Sequence, residues 1–95
     1  MGEGVKINGP ITIGSDCHIS DHAVIDDSII WNSVYLEPLA RVKHSIIANN
    51  CHIGSAGFVE QAVLGNNAIV TYGYHVKPGS LIPPNTIVDY DYTHL

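Results

Sequence analysis

From Ile7 to Val88 an aliphatic residue returns at almost every sixth position, and this rhythm excludes most folds open to so short a chain. The series runs Ile7, Ile13, Ile19, Ile25; Ile30, Leu36, Val42; Ile47, Ile53, Val59; then Leu64, Val70, Val76, Ile82 and Val88. Every step is six residues except 25→30, 42→47 and 59→64, which are five. Two full hexads and one shortened hexad therefore make a unit of 17 residues, beginning at 13, 30, 47 and 64, the last unit extending to 18. Helices repeat apolar residues at intervals of three and four, so this phase is not helical. A fixed internal period instead marks a solenoid, in which each unit buries its apolar side against its neighbours.

A second signal lies four places after most of these aliphatics, where the side chain is small or medium: Cys17, Ala23, Val34, Ala40, Cys51, Gly57, Ala68, Ser80 and Thr86. In the shortened hexads Ser28, Ser45 and Ala62 stand three places on, so the missing residue comes out of the turn between two inward positions. The residues between are Gly, Asn, Asp, Ser and Pro, which accept tight turns and left-handed backbone angles. Three short strands and three turns per coil give an all-β fold, a left-handed parallel β-helix of about five coils, its strands stacked about 4.8 Å apart. Residues 1–95 read as one such domain, with a lead-in at 1–6, coils at 7–88 and a C-terminal tail or cap at 89–95. Tyr90 and Tyr92 are expected to fold over the last coil, because open strand edges otherwise template aggregation.

Stacking turns sequence columns into ladders. Asp26, Lys43, Glu60 and Lys77 form a column of alternating charge, in which each ion is expected to face its opposite about 4.8 Å away. Asn32, Asn49 and Asn66 form a polar column at a turn, and a Ser at position 49 is expected to be tolerated with little effect.

Chemistry is sparse. The formal charge is −5 and the four cations Lys6, Arg41, Lys43 and Lys77 form no run, which argues against nucleic acid as a partner. No apolar stretch approaches membrane-spanning length and the first residues have no signal-peptide layout, so no membrane partner and a cytoplasmic location are expected. Cys17 and Cys51 hold equivalent inward positions about 10 Å apart, beyond the reach of a disulfide. His18 and His52 share an outward column with Tyr35 between them, too far apart to share a metal. His44 and His75 are surface positions without a carboxylate at a workable sequence spacing, which reads as solvated imidazole. No phosphate-cradling glycine loop and no nucleophile elbow occur. The reading is no catalytic residue, no metal and no cofactor.

The segment IDDSIIWNSVYLEPLARVKHSIIANNCHIGSAGFVEQAVLGNNAIV resembles the C-terminal β-helix of nucleotide-sugar pyrophosphorylases, the sugar-phosphate nucleotidyltransferases. The pattern of that family appears as Ile25-Asp-Asp-Ser-Ile-Ile30 and Val42-Lys-His-Ser-Ile-Ile47, with a weaker copy at Val59-Glu-Gln-Ala-Val-Leu64. The resemblance implies an oligomerisation and regulatory domain that packs on a catalytic nucleotidyltransferase domain of a parent chain and assembles as a homo-oligomer. The Gly-rich signature of that catalytic domain does not occur in this sequence, so no family catalytic residue carries over. Two alternatives stand beside this reading. One is a minimal trimeric hexapeptide acyltransferase with a site at His18, His52 or His75; the other is a structural scaffold.

If Ser28, Ser45, Ala62 and Ser80 point inward, strand alternation turns the next residues outward. These are Ile29, Ile46, Val63 and Leu81, one exposed aliphatic column about 14 Å long. The two matching columns are mixed: His18, Tyr35, His52, Ile69 and Val24, Arg41, Phe58, His75. A contiguous apolar stripe on one face marks a contact surface.

Overall fold

A computed structural model of the chain describes residues 2–89, and the repeat appears in it as fifteen short strands. The first coil holds β1 (Lys6–Asn8), β2 (Thr12–Ile13) and β3 (His18–Ile19). The second holds β4 (Val24–Asp26), β5 (Ile29–Ile30) and β6 (Tyr35–Leu36), and the third β7 (Arg41–Lys43), β8 (Ile46–Ile47) and β9 (His52–Ile53). The fourth holds β10 (Phe58–Glu60), β11 (Val63–Leu64) and β12 (Ile69–Val70), and the fifth β13 (His75–Val76), β14 (Leu81–Ile82) and β15 (Ile87–Val88). Corresponding strands stack in parallel into three five-stranded sheets: A (β1-β4-β7-β10-β13), B (β2-β5-β8-β11-β14) and C (β3-β6-β9-β12-β15). The chain is a left-handed parallel β-helix of five coils.

The register follows the 17-residue unit. Ile30 pairs with Ile47, Leu36 with Ile53, and Val42 with Val59, so each inward aliphatic lies above its counterpart. Ile25, Ile30, Leu36, Val42, Ile47, Ile53, Val59, Leu64 and Val70 have no solvent exposure at all. Ile7 departs from the expected burial and is 40% exposed, because β1 has a neighbouring strand on one side only. Ile13 is half-buried for the same reason.

The shortened turns fall where the five-residue steps place them. Ser28, Ser45 and Ala62 are buried, and Asp27, His44 and Gln61 immediately before them take left-handed backbone angles. Each buried serine closes a local circuit. The Ser45 hydroxyl donates to the Lys43 carbonyl at 2.7 Å and accepts from the Ala62 amide at 3.2 Å, while Ser28 donates to the Asp26 carbonyl and accepts from the Ser45 amide. At two of the three shortened corners serine thus satisfies its own polar atoms and an amide of the next coil, and Ala62 fills the third by packing alone. Elsewhere Leu39 and Ala56 adopt the left-handed conformation that Asn or Gly usually occupies, at φ 68° and 60°. Their amides donate to Asp21 and Pro38 in the preceding coil, so inter-coil bonding offsets the local backbone cost.

Two ladder expectations are corrected. Asn49 is no neutral surface residue: its side-chain oxygen accepts from the Asn32 amide at 2.9 Å, Asn32 serves Ser15 and Asn66 serves Asn49 in the same way. A serine hydroxyl is shorter and does not reproduce that reach, so Asn49→Ser is now expected to cost stability. The charged column also behaves differently. Asp26 pairs with Lys43 and Lys43 with Glu60 in register, but strand β13 ends at Val76, before Lys77. Asp26 takes a hydrogen bond from Asn8 at 2.7 Å, Glu60 pairs with His75 at 3.6 Å, and the Lys43 ammonium lies 5.8 Å from the centre of the Phe58 ring. The backbone sets the column; rotamer choice decides who meets whom. The suggested cap at 89–95, with Tyr90 and Tyr92, lies outside the described residues apart from Asp89.

Candidate contact faces

Only the first residue of each two-residue strand points outward, so each sheet presents one main column. Sheet B presents Thr12, Ile29, Ile46, Val63 and Leu81, paired one above the next. The four aliphatics are exposed at 42%, 38%, 38% and 75%, which places all of them outside the prism, as alternation from the buried serines requires. Hollows border this column along the corner shared with sheet A. One is lined by Ile29 and Asp27, another by Ile46, Val63 and Leu81, and His44 touches both. The His44 ring lies 3.6 Å from the Asp27 carboxylate.

Sheet C is built differently. His18, Tyr35 and His52 stack ring upon ring, with centroids 4.5 and 4.9 Å apart, and Ile69 and Ile87 complete the column. His52 hydrogen-bonds the Glu37 carboxylate through Nε2. Sheet A carries a third arrangement. The Arg41 guanidinium lies 4.8 Å above the Phe58 ring, and His75 stacks with Phe58 at 4.6 Å. Of the three His–carboxylate pairs only His52–Glu37 is a hydrogen bond; His44–Asp27 and His75–Glu60, each at 3.6 Å with half-exposed side chains, are loose surface ion-pair contacts.

This corrects the reading of His44 and His75 as unpaired. Their partners stand 17 and 15 residues earlier, a separation that is one coil in space, and subtracting one coil length from each histidine would have found Asp27 directly. Among the described residues no group of three or more His, Cys, Asp or Glu side chains could hold a metal ion. Cys51 is buried, and burial pushes its thiol up from the ordinary value, outweighing backbone hydrogen bonds that act the other way. Cys17 and Cys51 are both free thiols. No helix among the described residues is long and apolar enough to cross a membrane.

Comparison with known proteins places this geometry. A family model described as the GMPPB C-terminal domain matches residues 1–94. No curated protein matches the chain by sequence. Among solved structures, WeeI from Acinetobacter baumannii AYE superposes with a TM-score of 0.87 at 21% identity, over 96% of this chain and 46% of WeeI. A hexapeptide-repeat containing acetyltransferase from Vibrio cholerae gives 0.74 at 17% identity, over 93% of this chain and 66% of that one. A hexapeptide transferase family protein from Anaplasma phagocytophilum gives 0.75 at 17% identity, over 92% and 60%. The chain thus spans about half to two thirds of the length of these structures, and at such identities the likeness is one of fold.

Proposed function

The chain belongs to the family of GMPPB C-terminal domains, the C-terminal domains of nucleotide-sugar pyrophosphorylases, and from that premise we propose that it is a non-catalytic assembly and regulatory module. Its task is to hold copies of a sugar-1-phosphate nucleotidyltransferase together and to present a rigid surface to the catalytic domain of the parent chain. The observation that carries this reading is the outward column Ile29, Ile46, Val63 and Leu81 on sheet B. Burying four aliphatics at about 25 cal/mol per Å² is a substantial driving force for association. The strands of sheet B contain no charged residue, so a second sheet B meets it without desolvating charge, whereas sheet A carries Lys6, Asp26, Arg41, Lys43 and Glu60, whose burial would be costly. A second copy of the prism is therefore the occupant we assign to sheet B, and the catalytic domain takes another part of the surface.

Analytical ultracentrifugation tests the assignment. The parent chain should sediment as an oligomer and Ile46→Lys as a monomer with an unchanged circular dichroism spectrum. A variant that sediments like the parent sinks the sheet B contact. A monomeric parent chain sinks self-association and leaves the catalytic domain as the occupant. The competing reading, a minimal acyltransferase, is supported by the His52–Glu37 pair and by structural neighbours that are an acetyltransferase and a hexapeptide transferase family protein. It requires binding of an acyl donor, and titration with acetyl-CoA in a calorimeter should give no heat on our reading.

A further inference from the structure

Seven asparagines occur in the chain, and only Asn8 is followed by glycine. Asn8 ends β1, the outermost strand of sheet A, which has a neighbouring strand on one side only. It is exposed, and its side-chain Nδ2 donates to the Asp26 carboxylate at 2.7 Å. Gly9 opens the turn between β1 and β2 at φ 77°. A side chain there would run into the Asp27 carboxylate, and a left-handed angle favours glycine, so the corner itself demands the Asn8–Gly9 pair.

Gly9 holds the left-handed turn position that Asp27, His44, Gln61 and Gly79 hold in the later coils. In each of those the backbone amide donates one coil back. Asp27 donates to the Asn8 carbonyl at 3.0 Å, His44 to Asp26 at 2.9 Å, Gln61 to Lys43 at 2.9 Å and Gly79 to Gln61 at 2.7 Å. Gly9 lies in the first coil, and its amide has no acceptor among the described residues. The outermost member of the column is thus the only one whose nitrogen is uncommitted, and it follows an asparagine.

We propose that Asn8 is a modification site, at which the folded chain deamidates spontaneously through a cyclic imide closed by the Gly9 nitrogen. That nitrogen gives up its proton and bonds to Asn8 Cγ, the Cγ–Nδ2 bond breaks, and the side-chain nitrogen leaves as ammonia. Water then adds to one of the two imide carbonyls and opens the ring to aspartate or isoaspartate. Ring closure requires Asn8 to leave the extended geometry of a strand. An edge strand at the end of the solenoid does so at small cost, because terminal elements open most easily. Glycine puts no Cβ in the way, and closing the ring breaks no inter-coil bond of the Gly9 amide. The product cannot donate to Asp26 and sets a second carboxylate beside it, with the Asp27 carboxylate at the same corner. Lys6, two residues back on the same side of β1, offsets part of this repulsion. Deamidation therefore loosens β1 from β4 and leaves the inner coils as they are. The inference does not rest on association through sheet B.

Incubation of the folded 95-residue chain in mildly alkaline buffer, followed by isoelectric focusing and peptide mapping by mass spectrometry, tests this. A form with one further negative charge should accumulate, with aspartate and isoaspartate at position 8 and the other six asparagines intact. Asn8→Gln, which would have to close a larger ring, should keep its charge over the same period. Asn8→Asp carries the aspartate product from the start. It should melt below the parent and lose hydrogen-exchange protection in the first coil, while the amides of β7 and β10 keep theirs. A parent chain that keeps its charge overturns the proposal, as does a modification mapped to another asparagine. Reaction of Asn8 in urea but not in the folded chain also overturns it, because the first coil would then protect the site. An Asn8→Asp chain that melts and exchanges like the parent overturns the loosening of β1.

Discussion

Sheets A and B share an interior and differ in their outer surface. Behind both stand columns of fully buried aliphatics, Ile25-Val42-Val59 in one and Ile30-Ile47-Leu64 in the other, in the same parallel register. In front, sheet B shows Ile29, Ile46, Val63 and Leu81, while sheet A shows Val24, Arg41, Phe58 and His75 with Lys43 and Glu60 beside them. The difference teaches where this fold leaves room for function. The coil dictates every inward residue by volume, because each must fit between identical neighbours above and below. It dictates outward residues only by β propensity, which aliphatics, aromatics and even arginine satisfy well enough. Outer columns are thus free to specialise: one aliphatic, the other carrying stacked rings and charges of both signs.

The largest expected effect tests the shared interior against the free exterior. Ile47→Ala should cost about 2–5 kcal/mol, since the stacked coils on either side cannot close around the void. Ile46→Ala, one residue away and 38% exposed, should stay within about 0.5 kcal/mol at concentrations where the chain is monomeric. Chemical denaturation of both variants decides the matter, and equal losses would mean that inside and outside are not separated as described.

A smaller effect is expected at the corner that joins the two sheets. Ser45→Ala removes the donor to the Lys43 carbonyl and the acceptor for the Ala62 amide in a site 3% exposed. The loss should be about 1–3 kcal/mol, the cost of leaving buried polar groups unpaired. Ser45→Thr keeps the hydroxyl but adds a methyl to a packed corner, so it should recover only part of the stability. An alanine variant as stable as the parent would show that the corner is held by packing alone.

The smallest effect belongs to the exterior of sheet A. Glu60→Gln removes the charge opposite His75, in a pair whose side chains are 35% and 51% exposed. Solvent screening limits its contribution to about 0–1 kcal/mol. The variant should melt within a few degrees of the parent in a thermal scan. A drop of more than about 8 °C would show that the pair contributes beyond a screened surface contact.

Particular residues show how far the sequence carries. The five-residue steps at 25→30, 42→47 and 59→64 located the shortened turns, placed Ser28, Ser45 and Ala62 inside, and thereby put the sheet B stripe outside. All of that is period and alternation, which the backbone imposes on any residues that occupy those positions. Asn49 was misread because a column of asparagines announces a ladder but not its direction of bonding. His44 and His75 were misread because their carboxylates are close only after a full coil has been traversed.

The sequence by itself determined the prism, its register and the identity of each outward column, because a period of 17 maps chain position onto coil, sheet and side with no remaining freedom. Tertiary structure alone decided which outward side chains meet. Lys43 turned to Phe58 when the register offered it Asp26 and Glu60, and Glu60 took His75. Long side chains have several rotamers within reach of several partners at nearly equal energy. Their choice depends on all neighbours in the adjacent coils at once, and the order of residues along the chain does not contain it.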